Sequence, residues 1–269
     1  MDFHKAIFAF GTVKALNFYD YTIGGLGGSG MQLEAIAIIT ARGGSKRIPG
    51  KNIKEFLGKP IICYSIEAAL SSGLFDEVMV STDDEAIAEM AKKAGASVPF
   101  MRSVENSDDF ATTDDVLMEV LEEYEKRGTT FHYMACIYPT APFVTPQKLK
   151  SALRLLKENK ASGVMPVVSF SFPPQRGMAV RKGRLEYCYP ENAKMRSQDL
   201  ETIYHDCGQF YFYDTDKYRA CRGDLEEGYV PIVVPETEVQ DIDNPSDFRL
   251  AEIKYLMMEE GEKGDGKED

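Results

Sequence analysis

Nowhere in the 269 residues does an uninterrupted apolar run reach the roughly 18 residues needed to cross a bilayer, so no membrane-spanning helix is expected. The five cysteines, Cys63, Cys136, Cys188, Cys207 and Cys221, are odd in number and widely spaced, with no CxxC pair. That leaves neither a disulfide framework nor a zinc site and points to a reducing, cytoplasmic setting. Positive charge is scarce as well: 31 Lys and Arg stand against 43 Asp and Glu, a formal charge of −12. An acidic surface repels polyanions, which excludes general binding to nucleic acid or to anionic membrane. Any anionic ligand must then be held by a local cluster. With 43% hydrophobic and 28% charged residues, the composition is that of an ordinary globular protein. A domain of this size buries about 70–75% of its unfolded surface, so one core suffices without staples.

The two ends differ from the rest. Residues 1–30 carry scattered aromatics followed by IGGLGGSG, and they lack the basic start and apolar stretch of a secretory signal. They read as an extension with a flexible linker, or as a misassigned start, and the functional domain is expected to run from Met31 to residue 258. Residues 259–269, EEGEKGDGKED, have no apolar side chain and read as an acidic, disordered tail.

Between them, short apolar runs alternate with helical patterns. AIAIIT (35–40) and VMVST (78–82) read as strands, as do 133–138 and 163–169; helices are expected from Pro60 to Ser72, from a Thr82/Glu85 capping box to Lys93, and over 113–127 and 146–158. This order implies an α/β fold with a mainly parallel central sheet, helices on both faces, and ligands held at the carboxyl ends of strands. Residues 173–214 break the rhythm. The runs LEYCY (185–189) and GQFYFY (208–213) read as an antiparallel insertion, either a plain surface hairpin or an oligomerisation arm.

The strongest motif is TARGGSKRIPGKN (40–52), directly after the first strand. Arg42, Lys46, Arg47, Lys51 and Lys54 supply five cations with no acid among them. Gly43 and Gly44 allow close backbone approach, and Ser45 adds a hydroxyl; together this is chemistry for a polyphosphate. Neither the Walker spacing nor GxGxxG is present. In VQDIDNPSDF (239–248), Asp241 and Asp243 fall two apart, on one side of a strand, and two hard oxygens suit Mg²⁺ shared with substrate phosphates. The alternative is that Asn244 caps a helix starting at Pro245 while the aspartates are merely solvated. YPTAPF (138–143) reads as a rigid turn able to line a pocket. Arg102 and DDFATTDD (108–115) are placed to meet a base or ribose, although Thr112 or Thr113 equally suits a helix cap. His205 beside Asp206 is open between a structural role and a general base.

Taken together, ARGGSKRIPGKN, STDDEAI, YPTAPF, RSQDL and DIDNPSDF, in this order across 34–258, resemble the acylneuraminate cytidylyltransferase family, which makes CMP-activated nonulosonic acids. RSQDLETIYHDCGQFYF and Tyr138, where the sialic acid branch usually has glutamine, look most like the pseudaminic acid branch. The resemblance implies a nucleotide-diphospho-sugar transferase-like fold and transfer from CTP to the anomeric hydroxyl of a nine-carbon acid sugar. It implies that Arg42, Gly44, Ser45, Lys46, Lys51 and Asn52 hold the CTP phosphates, and that Arg102, Ala111 and Thr113 line the cytidine pocket. Tyr138, Thr140, Arg196, Gln198 and Gln209 fall to the sugar, and Asp241 and Asp243 to Mg²⁺. Arg42, Lys51 and the two aspartates carry the catalytic burden. Residues 173–207 then form a dimerisation and sugar-binding insertion of a homodimer, with Arg196 reaching across. Sialic, legionaminic and Kdo acceptors, uridylyl or guanylyl transfer, and a noncatalytic nucleotide-binding scaffold are the competing expectations.

Overall fold

The apolar run that opens the domain is a strand, β1 (Met31–Thr40), buried over its second half because neighbours cover both faces. The computed structural model describes residues 30–223 and 228–265; the first 29 residues of the expected extension and the last four of the expected tail lie outside them. After β1 come β2 (Glu55–Phe56), β3 (Lys59–Pro60), α1 (Ile61–Ser72), β4 (Glu77–Ser81), α2 (Glu85–Lys93), α3 (Thr113–Lys126), β5 (Thr129–Ile137), α4 (Pro146–Asn159) and β6 (Gly163–Ser169). Then follow β7 (Met178–Arg181), β8 (Arg184–Tyr187), β9 (Tyr204–Asp206), β10 (Phe210–Asp214), α5 (Thr215–Cys221), β11 (Tyr229–Val233) and α6 (Pro245–Asp265). Among the described residues, no helix is long and apolar enough to cross a membrane.

The main sheet has the order β11-β6-β10-β5-β1-β4, with β9 paired to β6. β4, β1 and β5 are mutually parallel, as are β6 and β11; β10 runs against both β5 and β6. The expected mainly parallel α/β sheet is therefore present. Strand alternation sorts the core. Ala37 and Ile39 face the side packed by α1, α2 and α4, while Ile36 and Ile38 face α3 and α5. In α3 the buried residues Leu117, Val120, Leu121 and Tyr124 recur at helical spacing and make that contact. A third cluster, Ile48, Phe56, Ile61, Tyr64, Phe143, Ile242, Phe248 and Ala251, docks α6 onto the start of α1.

Four local readings change. GQFYFY is not part of a peripheral insertion: β10 is a central strand, with Phe210 to Tyr213 all buried, because bulky side chains on both faces need cover on both. The helix after β4 is capped by Asp84, which accepts from the amides of Ala86 (2.8 Å) and Ile87 (3.1 Å). Thr82 instead accepts from Asp84 N at 3.1 Å. Residues 239–244 are extended coil, not strand. Finally, α6 continues to Asp265 through much of the segment read as a disordered tail. Lack of apolar residues denies that segment a core, yet extending an already nucleated helix needs only one hydrogen bond per residue.

What remains of the insertion is the β7–β8 hairpin and the coil around it. Lys182 and Gly183, both with positive φ (50° and 75°), make a turn that matches strand twist. Val180 and Leu185 face one another across it and stay 73% and 67% exposed.

Phe212 is fully buried and stacks on Phe75 at 5.6 Å between ring centroids. Phe212→Ala is expected to lower unfolding free energy by about 3–5 kcal/mol in urea titration, since the cavity falls in the centre of the sheet. A loss below about 1 kcal/mol would contradict the central placement of β10.

Candidate active site

The sheet reverses its winding between β1 and β5, and ligands bind in the crevice outside the strand ends at such a point. A cavity of about 500 Å³ lies there. The segment following β1 forms one wall, contributing Arg42, Ser45, Lys46, Lys51 and Asn52. Arg102, Ala111 and Thr113 close a second side, Tyr138 and Thr140 a third, and Asp243 a fourth. Residues from four distant parts of the chain thus line one cavity.

The loop holds its form through specific contacts. Ala41 N–H donates to Ser81 O at 2.9 Å, and Gly43 N–H to Asp83 Oδ1 at 2.9 Å, tying the loop to the end of β4. A Cβ on Gly43 would stand 2.7 Å from Asp84 Oδ2, so only glycine fits beside the α2 cap. At Gly44 nothing lies within 4 Å of that position, leaving its backbone approachable. Buried Asn52 donates through Nδ2 to Arg42 O at 2.8 Å, which folds the loop back on itself and aims Arg42 at the cavity.

The cations are engaged individually. Arg42 Nη1 donates to Asp108 O and to Asp109 Oδ1, both at 3.1 Å, and Lys46 pairs with the other oxygen of Asp109. The hydrogen bond from Lys46 holds the Asp109 carboxyl below the usual carboxylate range. Arg47 pairs with Asp243 at 2.7 Å. Lys51 Nζ donates to Ile242 O at 2.6 Å; burial lowers its pKa, opposed by Asp243 and Asp241. Lys54 lies 5.5 Å over the Phe248 ring.

Across the cavity, Arg102 is only 8% exposed, and its Nε and Nη2 donate to Ser81 Oγ (3.0 Å) and Ser81 O (2.6 Å). Thr112 is the N-cap of α3, in a capping box with Asp115, which leaves Thr113 facing the cavity. Thr113 Oγ1 lies 3.4 Å from Tyr138 OH, and burial raises the Tyr138 pKa. Behind it, Tyr211 packs edge-on to Tyr138 (5.7 Å) and donates to Asp206 Oδ2 at 2.5 Å.

Several expected residues lie elsewhere. Asp241 does not line this cavity; with Ile242 buried between the two aspartates, it borders a second cavity of about 400 Å³ beside Ser169, Phe170, His205, Asp206 and Lys254. The alternation argument fails because 239–244 is not a regular strand. The helix-cap alternative is also realised: Asn244 Oδ1 accepts from Ser246 N (2.9 Å) and Asp247 N (3.1 Å). Gln209 lines neither cavity; it is 2% exposed and donates to Glu238 O at 2.7 Å, because it enters the buried strand β10. Arg196 and Gln198 sit on the exposed arm, Arg196 paired with Asp199 at 2.9 Å. His205 contacts its neighbour's carbonyl (2.9 Å) and lies tilted against Phe170 (4.7 Å between ring centroids), a structural arrangement bordering the second cavity. Lys254 was not foreseen: it reaches that cavity from α6, where a single lysine in a helical segment gives no sequence signal.

A cation-lined cavity at the switch point of a mainly parallel sheet is suited to hold the phosphates of a nucleotide. The fold is shared with a solved CMP-2-keto-3-deoxy-manno-octonic acid synthetase complexed with CTP, which superposes with a TM-score of 0.60 at 21% identity, covering 85% of this chain and all of that one. The cytidylyltransferase family model matches residues 36–217, and the chain belongs to this family. A pseudaminic acid cytidylyltransferase of Campylobacter jejuni is 40% identical over 235 residues, covering 85% of this chain and 99% of that protein. A CMP-N,N'-diacetyllegionaminic acid synthase of Legionella pneumophila is 32% identical over 236 residues, with coverage of 85% and 99%.

Asn52→Ala removes the brace on the Arg42 carbonyl. Loss of about 1–2 kcal/mol of stability is expected in denaturant titration, with weaker CTP binding by calorimetry. Unaltered CTP affinity would show that the brace does not aim Arg42.

Proposed function

We propose that the protein transfers the cytidylyl group of CTP to a nonulosonic acid, with pseudaminic acid the preferred acceptor, releasing pyrophosphate. The observation that carries this is the convergence of the basic loop, the Arg102–Thr113 wall and Asp243 on one cavity. The 40% identity to a pseudaminic acid cytidylyltransferase, and a tyrosine at position 138, favour that sugar.

In the reaction, the anomeric hydroxyl oxygen bonds to the α-phosphorus as the bond to the β-phosphate bridging oxygen breaks, and pyrophosphate leaves with that electron pair. The hydroxyl proton passes to a carboxylate. Asp243 is the one of the pair lining the nucleotide cavity. Arg42, Lys46 and Lys51 bind and align the phosphates, and the negative charge building on the leaving group meets donors already in place. Thr113 and Ala111, beside Arg102, hold the cytidine; Tyr138 and Thr140 orient the sugar. Gln209 supports Tyr138 from behind, its carbonyl accepting the Tyr138 N–H at 2.9 Å.

Among the described residues, no cluster of three or more His, Cys, Asp or Glu is placed to hold a metal ion alone. Of the two aspartates only Asp243 faces the nucleotide cavity, so it alone would offer a hard oxygen to a Mg²⁺ there, the other ligands coming from phosphates and water. When bound, that ion would neutralise phosphate charge. The exposed Val180 and Leu185 of the β7–β8 hairpin fit a homodimer joined through residues 173–207. Among the described residues Lys254 is the one Lys or Arg bordering the second cavity, and its ammonium is spent on Val239 O (2.6 Å) and Glu236 O (3.2 Å). A second copy bringing Arg196 there would supply the missing partner for a sugar carboxylate. The unpaired cysteines fit a cytoplasmic enzyme.

Pyrophosphate release is expected with CTP and Mg²⁺, and not with GTP, against a panel of pseudaminic, legionaminic, N-acetylneuraminic and 3-deoxy-manno-octulosonic acids. Pseudaminic acid should give the highest kcat/KM. Asp243→Ala should lower kcat about 100-fold or more with the fold intact by circular dichroism. Absence of release from every acid sugar would overturn the proposal.

A further inference from the structure

The cation cluster that faces the cavity is already partly neutralised by the chain's own carboxylate. Asp109 contacts Arg42 and Lys46 with one oxygen each, and the backbone carbonyl of its neighbour Asp108 takes a further hydrogen bond from Arg42. This placement is built. Asp108 Oδ1 accepts from the amides of Phe110 and Ala111, both at 2.8 Å, closing a turn that turns the Asp109 carboxylate towards the basic loop. The same turn leaves Phe110 88% exposed, with no packing to hold the segment down. Asp109 itself is about half exposed, so its pairing is the kind that exchanges readily.

Arg42 and Lys46 are also the groups assigned above to the CTP phosphates, and the inference rests on that assignment. A carboxylate hydrogen-bonded to both cations competes with phosphate oxygens for the same donors. Left beside a triphosphate, it would add like-charge repulsion in the same space. We propose that Asp109 is an internal competitor for the phosphate-binding cations, displaced when CTP binds and returning to Arg42 and Lys46 as pyrophosphate leaves. Its consequence is weaker holding of substrate and product alike. The advantage is in turnover, because the polyanionic product would otherwise be retained by the cations that aligned it.

The test is calorimetric titration of the full-length protein with CTP, inorganic pyrophosphate and CMP, comparing wild type with Asp109→Asn, Asp109→Glu and the control Glu105→Gln. Glu105 is exposed on the same segment, and its variant removes one negative charge just as Asp109→Asn does. Asp109→Asn is expected to tighten CTP and pyrophosphate by roughly three- to tenfold, moving CMP less than either. In turnover assays, inhibition by added pyrophosphate should strengthen by the same factor. Asp109→Glu should keep near wild-type affinities, and Glu105→Gln should move none of the three ligands. Unchanged or weaker binding of CTP and pyrophosphate by Asp109→Asn overturns the proposal, as does equal tightening by Glu105→Gln or of CMP. If the wild type binds neither CTP nor pyrophosphate, it is the assignment of the basic loop that fails.

Discussion

Gathering cations at the end of one strand, in a chain of net charge −12, is the constraint on which the other features depend. Arg42, Lys46, Arg47 and Lys51 would repel one another if left to themselves. Asp109 from one piece of the chain, and Asp243 with the Ile242 carbonyl from another, take part of that charge. The basic loop therefore organises the segments around it as much as they organise it. The stretch before α3 and the stretch before α6 reach the same place, where they pair with the loop, and the cavity is what their convergence encloses.

The sheet makes this convergence possible. Parallel strands β4, β1 and β5 end side by side, so Ser81, Thr40 and Ile137 deliver their following loops to one rim. The antiparallel β10 sits between β5 and β6 and buries four consecutive aromatic residues, two on each face. Its Tyr211 stiffens the floor under Tyr138 by ring contact, while the backbone entering it at Gln209 pairs with Tyr138 N–H. A strand that reads as peripheral is in this way a support for the site.

Much of the fold was legible locally. The 163–169 run, the helix from Pro60 to Ser72 and the helix at 146–158 carry strong periodicity or terminal signals that their observed bounds follow closely, while the 35–40 run is the buried end of a strand that begins at Met31. The loop at 40–52 was legible because its composition departs sharply from the rest of an acidic chain. Illegible features depended on partners remote in sequence. GQFYFY has the pattern of either a hairpin strand or a central one, and only cover on both faces decides between them. Asp109 stood in a run of acids with nothing to distinguish it until Arg42 and Lys46 came within reach.

The amino-acid sequence by itself determined which chemistry is available: a cation-rich, glycine-containing turn after the first buried strand, a pair of aspartates two residues apart, and a family-specific order of motifs. These follow from residue type and short spacing, which the chain carries however it folds. Tertiary structure alone decided which of those groups share a space. It placed Asp243 in the nucleotide cavity and Asp241 in another, because Ile242 between them is buried in a core assembled from α1, α6 and the basic loop. It also withdrew Gln209 from the surface and gave Arg42 a carboxylate partner 67 residues away, since hydrophobic packing sets the positions within which charges find one another.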